Sequence, residues 1–204
     1  TVDGAMGKIT RAANLAGGAL AVLGVGLSAS AFTGWIRGAI DAADETGKMA
    51  QKTGLLTKEV AGLQLAFDQA GAGDKLQATM AKLAKEASNG NEAFKAMGIT
   101  VAGSDGKLKS TRVLLGEVAD KFAGYRDGAE KTALSLELLG KSGADLIPLL
   151  NGGSKSLDEM DDKAKALGLT LDDETTKAAE KFNDEMDLVF RRSEGLARQL
   201  AGDL

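Results

Sequence analysis

Apolar residues recur along this chain at helical spacing. From Gly54 onward, Leu56, Val60, Leu63, Phe67 and Ala70 follow at steps of four, three, four and three. Leu76, Met80, Leu83 and Ala87 repeat the pattern, and so do Leu115, Val118, Phe122 and Tyr125. Such steps place each set on one face of an α-helix, so each predicts an amphipathic helix. Helix starts are expected at Asp127…Glu130, Ser142…Asp145 and Ser156…Glu159, where a short polar side chain precedes an acidic one by three positions. The last helix is the most regular. Ala179, Phe182, Met186, Val189, Ser193, Leu196 and Leu200 alternate three and four apart, with Lys181, Asp184, Glu185, Arg191, Arg192 and Glu194 between them. That is a heptad seam, weakened at Ser193, which packs either on its own chain or on further copies as a coiled coil.

One stretch departs from the helical period. Ile99-Thr100-Val101 and Lys107-Leu108-Lys109 flank a Gly/Asp-rich turn, which predicts a small β-hairpin near 99–109 packed on neighbouring helices. Gly103-Ser104-Asp105-Gly106 has a faint likeness to a calcium loop, but its single carboxylate cannot supply the six or so oxygen ligands that calcium takes.

Residues 12–36 carry no charge and lie between Arg11 and Arg37. A run of about 20 apolar residues is enough to cross a bilayer. Leu20, Val22, Leu23, Val25, Leu27, Phe32, Trp35 and Ile36 are the side chains expected to insert, with Trp35 as an interfacial anchor. Gly26, Ser30, Gly34 and Gly38 fall four apart, a stripe of small residues suited to close helix–helix contact. Four readings stay open for this segment. It is a packed Gly-rich helix within an oligomer, a signal peptide with Ala29-Ser30-Ala31 as its cleavage site, a permanent anchor, or a segment that enters a membrane only after assembly.

Composition narrows the chemistry. The 204 residues include 27 Gly, 1 Pro and only 4% aromatics, which points to thin bundles or long helices that need partners. Absence of Cys removes disulfides, thiolate nucleophiles and Cys-type zinc sites, and absence of His removes Ser-His-Asp triads and most transition-metal sites. Glu86, Glu92, Glu117 and Glu137 are candidates for paired-carboxylate catalysis by residue type alone, and ordinary solvated helix faces account for them. The net charge of −4 argues against tight nucleic-acid binding. The charge is uneven. Residues 1–40 hold Lys8, Arg11 and Arg37 against Asp3, and residues 154–204 hold 8 basic against 13 acidic side chains. The chain begins at Thr1 and reads as a segment of something longer or processed. The expected fold is all-α and elongated, with the hairpin near 99–109 and a coiled-coil-like C-terminal helix. Its expected parts are a potentially membrane-inserting helix at 1–38, a helical region at 39–153 and an acidic helical region at 154–204.

Residues 40–190 carry an ordered series of short motifs. It begins Ala43-Asp44-Glu45-Thr46-Gly47-Lys48 and continues through Lys52-Thr53-Gly54, Val60-Ala61-Gly62-Leu63-Gln64 and Gln69-Ala70-Gly71. Ala93-Phe94-Lys95-Ala96-Met97-Gly98-Ile99 and Asp105-Gly106-Lys107-Leu108-Lys109-Ser110 come next. Then follow Lys121-Phe122-Ala123, Asp127-Gly128-Ala129-Glu130-Lys131 and Leu139-Gly140-Lys141-Ser142-Gly143-Ala144-Asp145-Leu146-Ile147-Pro148-Leu149-Leu150-Asn151. Gly152-Gly153 and Phe182-Asn183-Asp184 complete the series. In order and spacing this series resembles the characteristic region of phage tail tape measure proteins. The resemblance implies a non-enzymatic protein that assembles as a homo-oligomer, a trimer or a hexamer, inside the tail tube and sets tail length. It implies tail tube and tail tip proteins and tail assembly chaperones as partners. It also implies release at infection to help the genome across the host membrane. The oligomer seam would be Ala179, Phe182, Met186, Val189, Leu196 and Leu200. The family pattern supplies no catalytic, cofactor or metal residue. The alternative is a membrane-acting pore-forming effector. As a helix of about 1.5 Å per residue, the chain would span at most about 300 Å.

Overall fold

A computed structural model describes residues 29–202, with side chains at 34, 37–188 and 191. Nine α-helices lie among the described residues. They are α1 (Ala29–Thr53), α2 (Thr57–Gln69), α3 (Leu76–Ser88), α4 (Glu92–Ala96), α5 (Thr111–Gly124), α6 (Ala129–Leu139), α7 (Gly143–Leu150), α8 (Gly153–Ala166) and α9 (Asp173–Gly202). Short 3-10 turns precede α3 and α7. The fold is all-α. No described helix is long and apolar enough to cross a membrane. Residues 1–28, with most of the uncharged run, lie outside the described residues.

The hairpin expected at 99–109 is reduced to one antiparallel bridge, Ala102 with Leu108. The Gly103 N–H donates to the Lys107 carbonyl (2.8 Å) and the Lys109 N–H to the Val101 carbonyl (3.0 Å). Leu108 is half exposed, so its arm has little apolar face to bury and no strand is extended. Asp105 is spent on the turn, its Oδ1 accepting the Lys107 N–H at 3.0 Å.

Helix starts differ from the expected capping boxes. Ser156 falls inside α8, and its hydroxyl donates to the carbonyls of Leu149 (2.9 Å) and Gly153 (3.0 Å). Ser142 precedes α7 but makes no side-chain cap; its hydroxyl lies 2.6 Å from that of Thr79 on α3. Asp127 precedes α6, whose cap residue is Gly128. Side-chain caps are made by Asn91, which accepts the Ala93 N–H at 2.8 Å, and by Ser110, which accepts the Val113 N–H at 3.3 Å. Gly54 ends α1 at φ +68°, where the following Leu55 N–H returns to the Ala50 carbonyl (3.2 Å).

The chain divides into two compact units. One comprises Thr46–Asp173 and has its own core. Val60, Leu63 and Phe67 of α2, Leu76, Met80, Leu83 and Ala87 of α3, and Leu115, Val118 and Phe122 of α5 are buried, as their spacing predicts. Leu56 is 51% exposed because it stands at the cap of α2, before the helical face begins. Helix α8 packs on α2 and α5, α7 on α5 and α6, and α3 on α6. The acidic helix α8 therefore belongs to this unit. The other unit takes α1 to Glu45 and α9 from Glu174.

Few large side chains nevertheless close this core, because glycines let helices touch backbone to backbone. A Cβ at Gly62 on α2 would lie 2.7 Å from the Asp161 Cα of α8, and one at Gly143 on α7 would lie 2.5 Å from the Ser135 carbonyl carbon of α6. The thin bundle expected from composition is, over 46–173, a packed one.

Candidate functional site

Phe122, Asp127, Lys131 and Asn151 meet at the junction of α5, α6 and α7. Lys131, on the first turn of α6, is 2% exposed. A buried ammonium is costly unless its protons are satisfied. Here Nζ donates to the Tyr125 carbonyl (2.9 Å), to Asp127 Oδ1 (2.9 Å) and to Asn151 Oδ1. Its charge also lies 5.8 Å from the centroid of the Phe122 ring, within cation–π range. The loop closes because the Asn151 amide donates in turn to Asp127, at 3.2 Å to Oδ1. The Lys131 ammonium, and after it the Asn151 amide, hold the Asp127 carboxyl below the usual carboxylate range. Asp127, Lys131 and Asn151 thus tie the start of α6 to the end of α7.

Residues in or beside other motifs of the series also meet. The Thr111 hydroxyl donates to the Thr53 carbonyl (2.8 Å), joining the start of α5 to the end of α1. In the other unit, the Asn183 amide donates to Asp44 Oδ2 (2.9 Å) and Asp41 Oδ1 (3.2 Å), so Phe182-Asn183-Asp184 meets Ala43-Asp44-Glu45.

Arg112 on α5 is the second buried cation. It reaches Asp158 Oδ1 (2.7 Å) and Asp161 Oδ2 (2.8 Å) on α8. Asp161 Oδ1 is buried and makes no hydrogen bond, because Gly62 closes over it. Burial pushes the Asp161 carboxyl above its usual value, against the opposing pull of Arg112. Sequence periodicity gave no hint of this cluster. Its signal is an arginine inside the apolar face of α5.

The glutamates considered for catalysis sit on four different helices. Glu86 accepts from Lys82 (2.7 Å) and Asn91 (2.8 Å), Glu92 from Lys95 (2.7 Å) and Glu117 from Lys109 (2.6 Å), while Glu137 is exposed. The Lys82 ammonium first, then the Asn91 amide, hold the Glu86 carboxyl below its usual value. Among the described residues, no cluster of acidic side chains is arranged to hold a metal ion.

Of the C-terminal seam, Ala179 is buried and Phe182 and Met186 are half-buried. Val189, Leu196 and Leu200 lie outside the described side chains, as does Ser193. Leu20, Val22, Leu23, Val25, Gly26 and Leu27 lie outside the described residues, and Ser30, Phe32, Trp35 and Ile36 outside the described side chains. Gly34 and Gly38 are exposed on α1 with open space where a Cβ would stand. No family model, curated protein or solved structure matches the chain.

Proposed function

We propose that this chain is a non-enzymatic, tape-measure-like component of the tail lumen of a phage or phage-like particle, setting tail length during assembly. On this reading it lies in the virion and passes to the host envelope at ejection, where residues 12–36 help the genome cross. The observation that carries the reading is the ordered series of motifs over residues 40–190, together with what those motifs do in the fold. Asp127 and Lys131, from one motif in that series, and Asn151, from the next, close one hydrogen-bonded network. Asp44 and Asn183 come from its two ends and bond to each other.

The seam of α9 is the proposed self-association surface, with Leu196 and Leu200 at its apolar end and coiled-coil packing as its mode. Gly34 and Gly38 leave α1 open to a neighbouring helix. The partners on this reading are further copies of the chain, the tail tube and tip proteins, tail assembly chaperones and, after ejection, a membrane. Light scattering combined with small-angle X-ray scattering on the purified chain tests the seam. An elongated trimer or hexamer, converted to monomer by Leu196→Asp with Leu200→Asp, is the expected result. A compact monomer unaffected by those substitutions would remove the seam from the account.

A further inference from the structure

Two asparagines in the unit Thr46–Asp173 stand immediately before glycine: Asn89-Gly90 and Asn151-Gly152. Their backbones are closely matched. Asn89 is the C-cap of α3 (φ −78°, ψ −5°) and Asn151 the C-cap of α7 (φ −62°, ψ −21°). The following glycine N–H donates to a carbonyl three residues back in both, Gly90 to Ala87 (3.1 Å) and Gly152 to Leu149 (3.2 Å). The side chains are not matched. Asn151 is held by Lys131 and Asp127, whereas the exposed Asn89 side chain makes no hydrogen bond. Around Gly90 there is open space, while the Ser156 side chain lies against Gly152.

We propose that Asn89 is a site of spontaneous modification, an amide that converts to aspartyl and isoaspartyl forms, and that the Lys131–Asp127 network protects Asn151 from the same reaction. In the reactive step the Gly90 backbone nitrogen loses its proton to solvent base and attacks Asn89 Cγ. The N–Cγ bond forms, the Cγ–Nδ2 bond breaks, and the departing nitrogen takes a proton from water and leaves as ammonia. The resulting cyclic imide is opened by water at either carbonyl, which returns an aspartyl residue or shifts the main chain into the side chain. Glycine suits the nucleophile's position because it has no Cβ to obstruct the approach. The attack needs the side chain to turn toward its own following nitrogen. Asn89 is free to turn. Asn151 must first break a hydrogen bond from a buried ammonium, and charge-assisted bonds are the strong ones.

The product has a structural consequence. A carboxylate at residue 89 stands at the C-terminal end of α3, the negative end of the helix dipole, two residues from Asn91, whose amide is bonded to Glu86. The isoaspartyl form lengthens the backbone in the α3–α4 turn. The conversion therefore loosens that turn as the protein ages.

Peptide mass spectrometry of the full chain, aged at mildly alkaline pH, decides the matter. Conversion of the Asn89 peptide with an intact Asn151 peptide is expected. Lys131→Met then accelerates conversion at Asn151 about tenfold, the order expected when one charge-assisted bond no longer has to break, and leaves Asn89 unchanged. Lys131→Gln serves as a second variant should Lys131→Met perturb the fold. Equal rates at the two sites in the parent chain, faster conversion at Asn151, or loss of ammonia with Lys131 joined to Asn151 would overturn the proposal.

Discussion

Substituting Gly62 with Ala probes one of the close helix contacts in the structure. The added Cβ would stand 2.7 Å from the Asp161 Cα, and that neighbour is backbone and cannot rotate away. Ordinary carbon–carbon contact is about 3.5 Å or more, so α2 and α8 must separate by roughly 1 Å. Overpacking of this kind costs about 1–3 kcal/mol. Displacing Asp161 also weakens its bonds to Arg112, worth about another 1 kcal/mol. Replacing glycine inside a helix returns about 1 kcal/mol. The net loss is about 2 kcal/mol, a fall in Tm on the order of 5–10 °C for a unit of this size. Urea unfolding followed by circular dichroism measures it. Gly124→Ala is the control, since nothing stands within 4 Å of its Cβ position, and its stability stays equal to the parent's or rises slightly. A Gly62→Ala chain as stable as the parent would show that α2 and α8 do not approach as described.

Further expectations follow from the two buried cations. Lys131→Met removes the donor for the Tyr125 carbonyl, Asp127 and Asn151 at once and costs about 2–4 kcal/mol in urea unfolding; an unchanged midpoint would mean the network fastens nothing. The folded pKa of Asp161 is raised, so its contribution to stability is complete below 3.8 and is lost as pH rises through the folded value. Asp161→Asn removes that loss, and a pH–stability curve identical to the parent's would contradict it. Asp127 acts in the opposite sense: its depressed folded pKa gives stability above 3.8 that is lost as pH falls through the folded value, and Asp127→Asn removes that part of the acid transition.

The helices were legible because burial on one face leaves a periodic trace. Val60, Leu63 and Phe67, or Leu115, Val118 and Phe122, are apolar at steps of three and four and are buried in the fold. Caps were less legible, because Ser142 and Ser156 satisfy distant groups that local spacing does not reveal. The hairpin was overdrawn: alternation around a glycine turn marks the bend, while a sheet needs an apolar face that Leu108 does not bury. Composition also understated the core, since a count of large side chains misses what Gly62 and Gly143 contribute by letting backbones close up. The Lys131 network was half visible. Its residues lay in the motif series, but an exposed-looking Asp-x-x-x-Lys pair gives no sign that Asn151, twenty residues later, completes it.

The length of the tail tests the central reading most directly. An in-frame duplication of residues 173–200 adds four heptads to α9 without breaking its seam. Electron microscopy of particles carrying the duplicated chain should show tails longer by about 40 Å, at about 1.5 Å per helical residue. Tails of unchanged length, with the longer chain present in the particles, would contradict it.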